Sequence, residues 1–271
     1  MIIQHNIAAI NSYRNLGVNQ SGLNKNLEKL SSGYRINRAG DDAAGLAISE
    51  KMRSQINGLN QATKNAQDAI GLIQTVEGAL TETHSMLQRL TTLASQSANG
   101  TYNTVARGNL DQEVQDLLKE IDRIADNTDF NGIKPIAASG TGNMTFQIGP
   151  SSGETLLLNA SNMTSTSIGV KSIDVTDRAG ANSAIDTIKA AIDKVSSYRA
   201  TLGAAQNRLE HTVNNLKVSS ENITAAESRI RDTDMADEIT AFTKNNILLQ
   251  ASQSMLAQSN SVPQSILSLL G

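Results

Sequence analysis

The chain has 271 residues, a net charge of −3, and neither cysteine nor tryptophan. Such a charge supplies no polyanion-binding surface and argues against nucleic acid as a partner, and the missing thiols exclude disulfides and thiolate metal sites. Aromatic residues make up 3%, and proline occurs only at Pro135, Pro150 and Pro263 beside abundant Ala, Leu, Gln, Asn and Ser. That balance points to long helices.

The opening stretch, "MIIQHNIAAINSYRNLG", lacks the basic start and the apolar run of a secretory signal. It carries an apolar strip, Ile3, Ile7, Ile10, Leu23, Leu27 and Leu30, with one charged side chain, Arg14, before Lys25. In "AGDDAAG", Asp41 or Asp42 reads as the N-cap of the next helix.

From Leu59 a seven-residue repeat is explicit. Positions 59, 62, 66, 69, 73, 76, 80, 83, 87, 90 and 94 read Leu, Ala, Ala, Ala, Ile, Val, Leu, Thr, Leu, Leu, Ala. Spacing alternates three and four, the coiled-coil signal, and the alanines predict closely approaching helices. Backwards, the series takes in Ile48 and Met52, with Gln55 and Gly45 as weaker members. One helix from Gly45 to Ala94 spans ~75 Å at ~1.5 Å per residue. A globule of this chain length is only roughly 50 Å across. The expected body is therefore a rod. "SANG", ending at Gly100, reads as the C-cap of this helix.

A second helical segment carries Leu110, Val114, Leu117, Ile121 and Ile124. Residues 131–182 change character, with Pro135, Pro150 and many Gly, Ser and Thr. There "MTFQIG" alternates as a strand does and "TLLLNA" offers it a partner. A small β-hairpin region is expected, too short for a catalytic domain. The third helical segment repeats at intervals of seven: Ile188, Val195, Leu202, Leu209, Leu216, Ile223 and Ile230. Its companion phase (Ile185, Ile192, Arg199, Gln206, Val213, Ser220, Glu227) predicts a seam half dry and half polar. Ser183 and Asp186 read as a capping box opening this helix.

The tail, "NNILLQASQSMLAQSNSVPQSILSLLG", holds no charged side chain. Leu248, Met255, Val262 and Leu269 are spaced by seven; so are Phe242, Leu249 and Leu256, with Leu270 in phase. Two adjacent apolar phases make a broad stripe, perturbed near Pro263. Buried fully, its side chains contribute on the order of 15–30 kcal/mol. Ser, Gln and Asn interrupt it too often for a membrane span. Pairing with the N-terminal strip covers one face of each arm and leaves uncharged polar faces, which suits a helix buried among copies of itself. The alternative is an intramolecular coiled coil with a frayed end.

Catalytic and metal chemistry find no support. His5, His84 and His211 are far apart, and "AGDDAAG" and "RIRDTDMADE" lack the ligand spacing of a calcium loop. Asn-x-Ser/Thr triplets at Asn99, Asn143, Asn159, Asn162 and Asn222 are expected by chance in this composition. No Ser-His-Asp set or phosphate loop can be assembled. The chain reads as a structural protein and not an enzyme, with no cofactor.

Residues 27 to 59, "LEKLSSGYRINRAGDDAAGLAISEKMRSQINGL", resemble the N-terminal signature of bacterial flagellin. Residues 206 to 260, "QNRLEHTVNNLKVSSENITAAESRIRDTDMADEITAFTKNNILLQASQSMLAQSN", resemble its C-terminal signature. With "IQTVEGALTETHSMLQRLTTLASQSANGT", the likeness covers roughly four-fifths of the chain.

The resemblance implies a mainly α fold: a long antiparallel coiled-coil helical rod with a small β-hairpin region, and N- and C-terminal helices forming an inner coiled coil. Residues 1–42 and 231–271 become the arms of the filament-core domain, and 43–230 the rod, including the β region at 131–182. Both arms are expected to be disordered in the free monomer, and the short middle leaves no room for variable outer domains. The implied function is a structural subunit of the extracellular flagellar filament, serving motility. A hook–filament junction protein, which shares these terminal helices, is the alternative.

Further partners follow from the resemblance. These are other copies of the chain, an export chaperone on the apolar tail, and filament cap and hook-associated proteins. Export unfolded through the flagellar type III apparatus fits the missing signal peptide. No membrane or nucleic acid partner is implied. Hosts are expected to recognise the family through Toll-like receptor 5, whose motif matches Leu87, Gln88, Arg89 and Leu93, with Glu113 on the returning helix. Thr91 and Thr92 stand where charged residues are usual.

Overall fold

The computed structural model describes residues 6–138 and 142–270, with the side chains of residues 264 and 266–270 excepted. In chain order the elements are α1 (Ile7–Ser32), α2 (Ala43–Ala98), α3 (Thr104–Asn127), β1 (Met144–Gln147), β2 (Thr155–Leu158), α4 (Ser165–Ile168), α5 (Arg178–Arg231) and α6 (Met235–Leu270). Contacts divide the chain into an arm unit, Met1–Ile56 with Glu221–Gly271, and a core unit, Asn57–Ser220. The expected boundary at 42/43 lies at the start of α2, and that at 230/231 one residue before the end of α5. The division by contacts falls inside α2 and α5 instead, because the first turns of α2 and the last of α5 bond to the segments that flank the arms.

In the core unit all eleven heptad positions of α2 are buried, from Leu59 to Ala94 and including Thr83. Thr83 satisfies its hydroxyl on the Ala79 carbonyl at 3.0 Å, so a polar residue sits dry in the seam without an orphaned donor. α5 runs antiparallel to α2: Ser220 lies by Asn60, and Arg199 pairs with Glu77 at 3.5 Å. Its buried series is Ala181, Ala184, Ile188, Ala191, Val195, Tyr198, Leu202, Ala205, Leu209, Val213 and Leu216. From Ala184 to Ala205 the companion phase is thus one residue earlier than expected from the large apolar side chains, while Val213 is buried at its expected position. Alanines at 184, 191 and 205 make the close approach, and Ile185, Ile192, Arg199 and Gln206 ride the edge, half-buried. The seam is drier than its sequence reading. Ile223 and Ile230 are only half-buried and belong to the arm unit.

α3 returns against α2, with Val114, Leu118, Ile121 and Ala125 buried while Leu110, Leu117 and Ile124 are half-buried. β1 and β2 form the expected antiparallel hairpin, Met144 facing Leu158 and Gln147 facing Thr155. Its inward side chains Met144, Leu156 and Leu158 join the same hydrophobic cluster as the helices. Asp122 on α3 accepts from the Ser165 amide and hydroxyl at 2.7 and 2.8 Å, which anchors the short α4.

Three helix ends differ from the sequence reading or resolve it. α2 is opened by Asp42, whose carboxylate accepts from the Gly45 amide at 2.8 Å, while Asp41 accepts from Asn37 and Arg38. α5 begins five residues before the Ser183 box. Asp177 caps it through the Gly180 amide at 2.6 Å, and Ser183 bonds back to the Ala179 carbonyl inside the helix. Asp177 followed by Arg178 is an ordinary N-cap sequence, masked by the absence of large apolar residues in the next turn. At the end of α2 no left-handed glycine closes the helix. The Arg107 guanidinium does so, donating to the Ser97 and Asn99 carbonyls at 3.0 and 3.1 Å.

Candidate functional site

In the arm unit α1 and α6 pack along one another. Their facing positions obey the same three-four rule as the core seam. On α1 the half-buried and buried series is Ala9, Ser12, Leu16, Asn19, Leu23, Asn26 and Leu30. On α6 it is Glu238, Phe242, Asn245, Leu249, Ser252, Leu256, Ser259 and Pro263. Alternate members are polar, and the polar members meet. Asn19 donates to the Ser252 hydroxyl at 2.8 Å, and Lys29 pairs with Glu238 at 3.6 Å. Asn245 abuts Gly22 so closely that a Cβ there would lie 3.1 Å from its amide nitrogen.

Pro263 explains one of these meetings. A proline inside a helix lacks the N–H that would reach the carbonyl four residues back. That carbonyl, on Ser259, accepts from the Asn6 side-chain nitrogen at 2.7 Å, while the Asn6 side-chain oxygen caps α1 through the Ala9 amide at 3.1 Å. One amide thus closes one helix and repairs the other, and α6 continues through Pro263.

The seam uses a different phase from the apolar strip of the sequence. Leu23 and Leu30 lie half-buried within it, but Ile7, Ile10 and Leu27 are exposed, as are Tyr13 and Val18. Ile3 lies outside the described residues. On α6 the two apolar phases separate cleanly. Phe242, Leu249 and Leu256 turn to the seam; Leu248, Met255 and Val262 are exposed, Met255 to 61%. Leu269 and Leu270 end the helix backbone, their side chains outside the described set. The polar seam members Asn19, Asn26, Asn245 and Ser252 carry no apolar recurrence to mark them in the sequence. Their own three-four spacing was the available signal.

The chain enters and leaves the arms through a two-segment clamp. Gly33 ends α1 with φ 75°, a left-handed conformation that favours glycine. Tyr34 then bridges Asp232, with Arg35 N–H donating to the Arg231 carbonyl at 2.7 Å and Thr233 N–H to the Gly33 carbonyl at 3.0 Å. The Arg231 guanidinium lies 4.7 Å from the Tyr34 ring centre and bonds Glu50 at 2.8 Å. That hydrogen bond holds the Glu50 carboxyl below its ordinary range. The carboxylates of "RIRDTDMADE" serve the chain itself. Asp232 accepts from Ser228, and Asp234 caps α6 through the Ala236 amide at 2.8 Å.

In the core unit, Arg89 donates to Glu113 on the returning helix, its Nη2 at 2.6 Å and its Nε at 2.8 Å from the same carboxylate oxygen. Both side chains are about half exposed and Gln88 is exposed beside them. Leu87 and Leu93 are both 0% exposed. Leu93 therefore packs the core, and of the expected receptor set Gln88, Arg89 and Glu113 are the solvent-accessible members. The threonines at 91 and 92 bond to the Leu87 and Gln88 carbonyls of their own helix.

Residues 3–141 match the family model of the bacterial flagellin N-terminal helical region, and residues 185–270 that of the C-terminal helical region. A flagellin of Halalkalibacterium halodurans is 53% identical over 272 residues, covering 100% of both chains. The chain belongs to the bacterial flagellin family. A Bacillus subtilis flagellin is 50% identical over 303 residues, again covering 100% of both. The crystal structure of Bacillus cereus flagellin superposes with a TM-score of 0.53 at 36% identity, covering 60% of this chain and 94% of that one. Flagellins are structural proteins of the extracellular flagellar filament and not enzymes. No described helix is long and apolar enough to cross a membrane.

Proposed function

We propose that this flagellin polymerises for motility through the outward faces of its two arms. The observation that carries this reading is the unmatched apolar phase of α6. Leu248, Met255 and Val262 are exposed although α1 already covers the neighbouring phase, and Ile7, Ile10 and Val18 are exposed on α1. Surface of this kind marks an interaction site. Neighbouring copies would bury both sets. Assembly then locks the arm pair against its neighbours, and an export chaperone covers the tail before passage, unfolded, through the flagellar type III apparatus. Cap and hook-associated proteins meet the same faces at the filament ends.

Met255→Asp tests the reading. A carboxylate buried against a neighbouring subunit costs several kcal/mol, repeated in every subunit. Seeded growth followed by electron microscopy should yield no filament, while circular dichroism stays at the wild-type level. Normal filaments from this variant would place the stripe in solvent. Leu256→Asp lies on the phase facing α1 and should loosen the arm pair as well, a difference that hydrogen exchange on the monomer reads.

A second partner, Toll-like receptor 5, is favoured by the exposed Arg89–Glu113 pair beside Gln88. A planar guanidinium already aimed by one carboxylate presents its remaining N–H groups to a protein surface. Arg89→Ala should weaken binding of the monomer to the receptor ectodomain at least tenfold, a loss of ~1.4 kcal/mol, in surface plasmon resonance. Polymerisation is expected to cover this face. Equal binding by wild type, variant and intact filaments would move the receptor site elsewhere.

A further inference from the structure

The chain contains three Asn–Gly pairs, at 57–58, 99–100 and 131–132. Such pairs can cyclise: the glycine nitrogen attacks the asparagine side-chain carbonyl, because no Cβ hinders its approach. The three sit in different chemical surroundings.

Asn57 and Gly58 lie inside α2, where the glycine N–H is committed to the helix ladder. Asn131 and Gly132 form a two-residue turn, with φ of 52° and 81°, closed by mutual hydrogen bonds between Phe130 and Ile133 at 2.9 and 3.0 Å. The Gly132 N–H is also held by the Asp129 carboxylate at 3.0 Å. In both pairs the nucleophile is occupied and the backbone is locked.

Asn99–Gly100 differs at every point. Both residues are exposed in the turn after α2, and nothing lies within 4 Å of where a Gly100 Cβ would be. The Gly100 amide has no hydrogen-bond acceptor among the described residues. The peptide carbonyl it shares with Asn99 accepts from the Arg107 guanidinium at 3.1 Å. Losing the Gly100 proton places negative charge on that oxygen, so a fixed cation there favours the nucleophilic anion. The Asn99 side-chain oxygen in turn accepts from the Thr101 N–H at 3.4 Å. That donor lies where an oxyanion would develop on attack.

We propose that Asn99–Gly100 is a self-deamidating site, activated by Arg107 and Thr101. Hydroxide removes the Gly100 amide proton, and the nitrogen bonds to the Asn99 side-chain carbonyl carbon. The tetrahedral intermediate expels ammonia and leaves a succinimide. Water then opens the ring at either carbonyl, giving aspartate or isoaspartate. The net change is one water consumed and one ammonia released, with no oxidant or reductant. The product adds a carboxylate at the end of α2, and the isoaspartyl form lengthens the backbone inside the Arg107 clamp.

Ageing the full-length protein in mildly alkaline buffer, folded and in guanidinium, with peptide mapping by mass spectrometry, tests this. Folded, Asn99 should convert about tenfold faster than in denaturant, equivalent to ~1.4 kcal/mol of activation. Asn57 and Asn131 should convert more slowly folded than denatured. Arg107→Gln should remove the folded-state acceleration. Thr101→Pro, which deletes the donor N–H and leaves Arg107, gives an independent reading should the first variant fold poorly. Asn99 converting no faster folded than denatured would overturn the proposal, as would wild-type rates in both variants.

Discussion

The α2–α5 seam of the core unit and the α1–α6 seam of the arm unit share one spacing and differ in chemistry. In the first, Leu80, Leu87, Leu90, Ile188, Leu202 and Leu209 are wholly buried and alanines fill the close approaches. In the second, asparagine, serine and a glutamate alternate with leucine, and most members are only half-buried. The buried Asn26 amide nitrogen and a Glu238 carboxylate oxygen find no partner among the described residues. Three-four spacing therefore establishes that two helices pair. Whether the pair stands alone is decided by what occupies those positions. A dry seam is self-sufficient; a seam with polar members in alternate layers gains register at a cost in stability, and draws the rest of its stability from whatever covers its outer faces.

The largest effect separating the two seams should come from truncation. Leu202→Ala opens a cavity in a close-packed interior and should cost ~2–5 kcal/mol in urea unfolding. Leu249→Ala, half-buried against α1, should cost roughly half the ~1.5–3 kcal/mol of a fully buried leucine or less. Equal losses would erase the distinction between a folded core and an arm pair awaiting neighbours.

Much of this contrast was legible in the residues. Every α2 heptad position counted in the sequence from Leu59 to Ala94 is buried, and the hairpin strands fall where "MTFQIG" and "TLLLNA" placed them. What escaped has a common cause. The companion phase of α5 is carried by Ala184, Ala191 and Ala205, and the arm seam by Asn19, Asn26 and Ser252. Small and amide side chains give little signal when only bulk apolarity is counted. The Asp177 cap escaped in the same way, since no large residue follows it. The ion pair between Arg89 and Glu113 was legible only through the family likeness, because two residues on different helices show no sequence pattern of their own. The burial of Leu93 required the structure: it adjoins the heptad position Ala94 but lies outside the three-four series.

A gain rather than a loss should sharpen the comparison next. Asn26→Leu replaces a buried amide that lacks a partner for its nitrogen, and leaving such a donor unpaired costs ~1–3 kcal/mol. The variant should stabilise the arm pair by about 1 kcal/mol or more in the unpolymerised chain. Hydrogen exchange would read it as slower exchange across α1 and α6, with the core unit unchanged. Unaltered exchange would mean that solvent already satisfies Asn26 and that the seam is wetter than its packing implies.

The smallest effect, and the one of opposite sign in the two units, concerns pH. In the arm unit the Arg231 hydrogen bond, with Arg53 nearby, holds the Glu50 carboxyl below its ordinary value of 4.5. A group depressed by folding stabilises the fold at pH above its unfolded value and loses that contribution as the pH falls through the folded one. In the core unit burial pushes the Tyr198 phenol above its ordinary value of 10.0. A group raised by folding contributes below its unfolded value, and the contribution is lost as the pH rises through the folded one. Acid should therefore loosen the clamp at Tyr34, Glu50 and Arg231, and alkali the surroundings of Tyr198. Hydrogen exchange across residues 33–50 and 195–202 at acid, neutral and alkaline pH distinguishes them. Glu50→Gln should flatten the acid limb in the first segment, and Tyr198→Phe the alkaline limb in the second. Because Glu50 is solvent-exposed, its limb should be shallow and should shrink in high salt. A limb that persists in salt would mean that the clamp is held by something other than this ion pair, with the cation–π contact of Arg231 on Tyr34 the next element to remove.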